Sequence, residues 1–308
     1  MPRPAARPVR GRPTPATATL LAYAALVAAV LFWSGNVVTG RALREAVDPV
    51  ALNLYRWSIA GVLVLPFGAA AMWRHRRALL RRWPVVAGLG ITGLAGFQTC
   101  VYVAVRHTEA VNVLLVLQLA PVAITLGARL FFGDAITPLR AAGMAIAALG
   151  ALVLIGHGDP TVALRLELNR GDATMLVAVL LWAIYSLLLK QRPAGVPQMA
   201  LLGASIVVGL AIMVPAWLLT GGAAARAPLG PVALGGVVYI GVFASFFAFL
   251  FWNTGVARVG PGRASVFMYL MPLFGAVLGY LLLGEAIAAY HLAGAALVFG
   301  GIAVMNRG

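Results

Sequence analysis

Leu130-Phe131-Phe132-Gly133-Asp134-Ala135 returns 151 residues later as Leu281-Leu282-Leu283-Gly284-Glu285-Ala286. At the same shift Pro121 falls on Pro272, Gly143 on Gly294, Gly150 on Gly301 and Gly90 on Gly241. Nearer the starts of the two copies the shift is 149, which carries Trp33 onto Trp182 and Arg41 onto Lys190, and 148 for Gly61 and Gly209. Chance gives one or two such matches, not an ordered series at a nearly constant spacing. The chain is an internal duplication, and what it duplicates is a set of apolar segments.

Working outward, 62% of the 308 residues are hydrophobic and 10% charged, against about 45–50% and about 25% in soluble domains. Mean hydropathy is +0.95. No sphere of this size hides so much apolar side chain from water, so soluble globular and disordered classes are excluded. The net charge of +15 would suggest nucleic acid in a soluble protein. That reading needs a basic face interleaved with aromatics, and the arginines instead form short clusters between apolar runs. The partner of this charge is the anionic cytoplasmic lipid surface, and no nucleic acid is expected. The single cysteine, Cys100, lies in mid-segment, which leaves no disulfide framework and no thiolate metal site.

A helix crossing about 30 Å of hydrocarbon needs roughly 20 apolar residues. Ten segments qualify: Leu20–Ala42, Val50–Met72, Pro84–Val105, Ala110–Phe132 and Pro138–Gly156, then Ala173–Leu189, Gln198–Thr220, Pro231–Ala257, Ala264–Leu283 and Ala288–Met305. The expected fold is an all-α integral membrane protein of ten transmembrane helices in two inverted five-helix repeats. Residues 1–19 form a basic tail, 20–156 the first repeat, 157–171 a linker and 172–308 the second repeat. The first apolar run is longer than a signal peptide's and carries Phe32 and Trp33, so it reads as a retained helix. With the N-terminus inside, sixteen basic residues fall on the inner side and six on the outer, leaving Arg56 within a helix. Both termini are expected in the cytoplasm and the linker outside. An odd number of helices per copy inverts the second one, putting Asp134 on the cytoplasmic side and Glu285 on the external side. Inverted repeats are the usual basis of alternating access.

The motifs in their order resemble the EamA-type members of the drug/metabolite transporter superfamily over residues 20 to 305. They are Phe32-Trp33-Ser34-Gly35-Asn36, Arg56-Trp57, Gln118-Leu119-Ala120-Pro121, Tyr269-Leu270-Met271-Pro272 and the Gly-acid ends of helices four and nine. Length, span count and aromatic-rich helices are similar to those of bacterial aromatic-amino-acid exporters. The resemblance implies a passage among helices one, three, four, six, eight and nine, an export direction and a bacterial cytoplasmic (inner) membrane.

A passage needs a few polar groups in apolar walls. Helix eight offers Tyr239, Phe243, Phe246, Leu250 and Asn253 at steps of four and three, as one stripe. Helix three offers Gln98 and Tyr102, helix one Trp33 and Asn36, and helix six Trp182 and Tyr185. The repeat superposes Asn36 on Tyr185, Tyr102 on Asn253 and Gln118 on Tyr269. These residues are the cavity candidates, with membrane packing as the alternative for each aromatic. Pro121 and Pro272 lie inside helices four and nine, where they kink the helices as gates or shape the bundle. Arg56, with no acid in the preceding turn, either serves the structure or meets a substrate carboxylate. Trp73 and Trp83, flanking the Arg74–Arg82 cluster, read as interfacial anchors.

All eight acids and four histidines map to loops or helix ends, so no proton or sodium carrier is visible within the spans. Uniport and antiport stand equal, and no cofactor or metal is expected. Three functions follow for test. The first is export of amino acids, including aromatic ones, by alternating access. The second is export of multiple drugs or quaternary ammonium cations. The third, from another class, is an intramembrane enzyme or a non-transporting scaffold. An enzyme would need a nucleophile with a base, or a metal site, at depth. The sequence carries no His-Glu-x-x-His, no Gly-x-Ser-x-Gly and no pair of buried aspartates. The expected partners are therefore a small molecule, either an amino acid or an aromatic or cationic metabolite, and the lipid bilayer.

Overall fold

The structure, a computed structural model, describes residues 15–43, 46–104, 107–108, 110–159, 161, 169–219, 230–283 and 287–307. All regular elements among them are helical. Nine are long and apolar enough to cross a membrane: α1 (Thr17–Gly40), α2 (Val50–Arg74), α3 (Trp83–Ala104), α4 (Asn112–Phe132), α5 (Pro138–Ile155), α6 (Arg170–Gln191), α7 (Gln198–Leu219), α8 (Pro231–Val259) and α9 (Pro261–Leu282). A tenth apolar helix, α10 (Ala289–Met305), is shorter. α1, α6 and α9 each start three residues earlier than hydropathy predicts, and at α6 the reason is a polar cap. The Asn169 side chain accepts hydrogen bonds from the backbone of Gly171 and Asp172 at 2.8 and 3.1 Å, and the Asp172 carboxylate accepts the Asn169 N–H at 3.1 Å. α9 opens on Pro261, whose missing N–H would have no helical partner at that position.

The most extensive helix pair is α5 with α10, and glycine makes it possible. A Cβ on Gly143 would lie 2.6 Å from the Gly301 carbonyl, and one on Gly150 2.7 Å from that of Gly294. Such small-residue seams let membrane helices approach closely without a hydrophobic driving force between them. The repeat equates Gly143 with Gly294 and Gly150 with Gly301, so each glycine faces the mate of the other. The two helices therefore run antiparallel, as inversion of the second copy requires.

The duplication extends below the level of whole helices. α3 widens into a π-helical turn at Gly90–Gly96, and α8 does so at Ile240–Phe247, the matching place. α4 breaks between Ala110–Leu117 and Ala120–Phe132, at Gln118 and Leu119. α9 tightens to a 3₁₀ turn at Val266–Leu270, which ends on their mates Tyr269 and Leu270. This modifies the expectation of prolines inside continuous helices. Pro121 and Pro272 are each the second residue of a new segment, Ala120–Phe132 and Met271–Leu283. There the ring costs no backbone bond.

The two ends of the bundle are tied differently. At one, Gly133 takes a left-handed conformation (φ 68°) that closes α4 and turns Asp134 toward Lys190, with which it forms an ion pair. The mates of that pair, the Arg41 side chain and Glu285, lie outside the described residues, as does the tail up to residue 14. At the other end Asp172 is fully buried and accepts a 2.7 Å hydrogen bond from Thr108, which also receives the Asn169 and Asn112 amides. These are called the Lys190 end and the Asp172 end below.

Candidate functional site

Trp33 and Trp182, mates in the repeat, meet edge to face with ring centroids 5.1 Å apart and planes at 87°. The pseudo-twofold relation thus passes between two tryptophans. Trp252 lies 5.3 and 5.6 Å from them, and Phe249 lies 5.6 and 5.7 Å away. Tyr185 stacks on Trp182 at 5.1 Å, Phe97 lies 5.0 Å from Trp182, and Trp57 closes on Phe249 at 4.7 Å. Five helices from both copies converge here, and such ring pairs each contribute about 0.5–1.5 kcal/mol beyond their buried area. Within this cluster the indole nitrogens of Trp57 and Trp252 make no hydrogen bond within the protein, nor does the buried hydroxyl of Tyr269 on α9.

Arg56 joins α2 to the π turn of α8. Its Nε donates to the Ser245 hydroxyl at 2.6 Å and its Nη2 to the Ala244 carbonyl at 3.1 Å. Trp33 Nε1 donates to the same carbonyl at 3.0 Å, and Ser245 donates in turn to the Ile240 carbonyl five residues back, at 2.9 Å. A π turn frees carbonyls from the regular ladder, and this cation and indole take one of them up. Arg56 is 1% exposed. Its Nη1 has no hydrogen bond, and Tyr102 stands beside the guanidinium.

The expected single stripe on α8 is divided by that π turn. Its i→i+5 bonding holds more residues per turn than 3.6, so a period counted through it drifts off the face. Tyr239 and Phe243 fall instead on an outer ladder with Phe247 and Phe251, at successive spacings of 5.4, 6.0 and 5.9 Å, and Phe243 is 39% exposed. Tyr239 also donates to the Phe32 carbonyl at 3.4 Å. Phe246 and Asn253 are buried. The drift also hid Phe249 and Trp252, the α8 residues that do reach the centre. Phe97 and Ser245 lie outside the expected set, and Trp57 enters it only as the neighbour of Arg56.

The other candidates are placed as follows. Trp33, Trp182 and Tyr185 are in the aromatic cluster, and Tyr269 is buried. Gln98 is buried, and the buried Gln118 amide donates back to the Leu114 carbonyl of its own helix at 3.3 Å. Tyr185 donates to the Asn253 side-chain oxygen at 2.6 Å. Asn36 is half-buried, its side-chain oxygen unpaired. Separate from all of these, a cavity of about 270 Å³ opens at the Lys190 end between Thr125, Asp134, Arg140, Arg263, Val266 and Met305. Among the described residues no group of three metal-ligating side chains converges. Trp73 and Trp83 are 70% and 64% exposed, and the Arg76 guanidinium lies 4.4 Å over the Trp73 ring, as interfacial anchors would.

The sequence profile of the EamA-like transporter family matches this chain twice, over residues 20–156 and 169–307. The chain belongs to the EamA-like transporter family. Among EamA-like relatives, a probable terminal-alkyne amino-acid exporter of Streptantibioticus cattleyicolor is 27% identical over 283 residues, 92% of each chain. A probable biotin transporter of Pseudomonas aeruginosa is 28% identical over 269 residues, 84% of this chain and 88% of its own. The transporter YyaM of Bacillus subtilis is 25% identical over 214 residues, 70% of each. A solved crystal structure, 23% identical, superposes with a TM-score of 0.76 over 95% of this chain and 97% of its own, which bears on the fold. The protein is a multi-pass membrane transporter of this family.

Proposed function

We propose that this transporter exports amino acids, including aromatic ones, by alternating access, as a uniporter or an antiporter. The observation that carries the reading is the aromatic cluster at the meeting of the two repeats, with unpaired indole donors in its walls. Aromatic faces suit an apolar side chain, and unpaired N–H groups suit a carboxylate. The exporter from Streptantibioticus, which handles an amino acid by its name, supports the same class. In this reading the Lys190 end, on the side richer in basic residues, faces the cytoplasm, with both termini there, and the membrane is a bacterial inner membrane, as the family resemblance implies. The two repeats would occupy 20–156 and 172–308, with residues 157–171 between them.

The cavity candidates, from Trp33 and Trp182 through Gln98, Gln118 and Tyr269, line the path in this proposal, while Phe243 on the outer ladder contributes packing. Uptake of labelled phenylalanine into proteoliposomes, across a panel of amino acids with and without a pH gradient, is the test. Saturable flux above empty vesicles is expected, and flux equal to empty vesicles removes the proposal. Aromatic walls also attract organic cations. Viologen-like cations competing for the phenylalanine flux would extend the function to drug export.

A further inference from the structure

The Tyr185–Asn253 hydrogen bond has a counterpart that is not made. The repeat carries Asn36 onto Tyr185 at a shift of 149 and Tyr102 onto Asn253 at a shift of 151. The same two positions, on the first and third helix of each copy, therefore hold a tyrosine and an asparagine, with the residue types exchanged. In the second copy the two are joined at 2.6 Å, and both side chains are almost fully buried. In the first copy the Asn36 oxygen and the Tyr102 hydroxyl are each buried atoms without a hydrogen-bond partner. Inversion puts the joined pair toward the Lys190 end and the separated pair toward the Asp172 end. The Lys190–Asp134 ion pair ties the same end as the joined Tyr–Asn pair.

We infer that the two Tyr–Asn pairs are alternating latches, one closing each end of the passage. The bond Tyr185–Asn253 holds the Lys190 end shut in the conformer seen here. In the opposite conformer that bond breaks and Asn36 accepts a hydrogen bond from Tyr102, which meanwhile rests beside Arg56. One interhelical bond is exchanged for another, so neither conformer leaves both pairs of buried polar groups unpaired. That keeps the two conformers near in free energy, as a reversible carrier requires. Divergence of residue types with retention of the pair is what selection on the bond, rather than on either side chain, would leave. The inference rests on the alternating-access part of the proposed function and is independent of the substrate.

The test is pulsed electron paramagnetic resonance on the substrate-free, full-length protein in nanodiscs, with Cys100 replaced by alanine. One spin-label pair sits at Gln191 and Arg258, at the Lys190 ends of α6 and α8. A second sits at Ala42 and Val103, at the Asp172 ends of α1 and α3. Tyr185→Phe or Asn253→Ala should move population toward a wider Gln191–Arg258 distance and a narrower Ala42–Val103 distance. Asn36→Ala or Tyr102→Phe should move both distances the other way. Interhelical hydrogen bonds in membranes contribute on average about 0.6 and at most about 1.7 kcal/mol, so shifts of about 3-fold, and at most about 18-fold, are expected. The exchanged double variant Tyr185→Asn with Asn253→Tyr copies the chemistry of the first copy and should restore the original distribution. This rescue keeps the test readable if a single variant folds poorly. Shifts of the same sign in all four variants, or no shift, overturn the latches. Phenylalanine flux by the protein with its four latch residues intact leaves the proposed function standing when no distance shifts. Opposite shifts without amino-acid flux support the latches and remove the substrate.

Discussion

The two π-helical turns occupy the same place in the two repeats and are held in different ways. In α3 the turn is covered by a ring: a Cβ on Gly93 would lie 2.1 Å from Tyr185 Cδ2, so the tyrosine of α6 rests directly on bare backbone. In α8 the mate of Gly93 is Ala244, and its carbonyl is held by Arg56 and Trp33. Arg56 itself has no cationic mate, since the equivalent position in α7 is Ala204. Duplication has preserved the backbone detour while the side chains that secure it diverged. Backbone geometry is shared by the whole bundle and is costly to alter in one copy alone. A side chain filling one crevice is free to change as long as the crevice stays filled.

Removing the cation should give the largest effect. Arg56→Met removes the bonds to the Ser245 hydroxyl and the Ala244 carbonyl, and a hydrogen bond to a charged group is worth about 1.5–3 kcal/mol. The variant should show the largest fall in melting temperature by tryptophan fluorescence, with Trp33 fluorescence perturbed. Retention of wild-type stability would mean that the α8 turn needs no cation. Covering the α3 turn is tested by Gly93→Ala, which forces Tyr185 aside at a cost of about 1–3 kcal/mol, the range for overpacking. Gly93→Ala combined with Tyr185→Ala should recover part of that loss, and no recovery would break the pairing of ring and turn. The smallest effect belongs to Ser34, which donates to the Val30 and Met271 carbonyls at 2.9 and 3.1 Å and whose mate is Ala183. Ser34→Ala should cost about 0.6 kcal/mol in the same melting assay, the average for such bonds. A large loss there would show that the first repeat depends on a bond the second does without.

Much of this comparison was legible in the sequence. The shift of 151 reveals the two copies and pairs the glycines at 143 and 150 with those at 294 and 301, although their meeting across the α5–α10 seam is a property of the fold. Trp33 and Trp182 were legible as mates, and their contact follows once inversion is known. Hydropathy could not show the π turns, because their extra residue leaves composition unchanged while shifting every later side chain around the helix. For that reason the stripe expected on α8 divides, with Phe243 39% exposed and Phe249 and Trp252 reaching the centre. The Asp172 carboxylate was legible as a helix-end acid but not as a buried one, since its partner Thr108 lies 64 residues away.

The central claim is that one passage, built twice, is reached from opposite sides in turn. Its most direct test is paired cysteine accessibility at Gln118 and its mate Tyr269, each introduced singly in a cysteine-free background. A membrane-impermeant maleimide is applied from either face of oriented vesicles, with and without phenylalanine. The account predicts that the two positions label from opposite faces. It also predicts that phenylalanine raises one rate as it lowers the other. Labelling of both from one face, or of neither from any face, would contradict it.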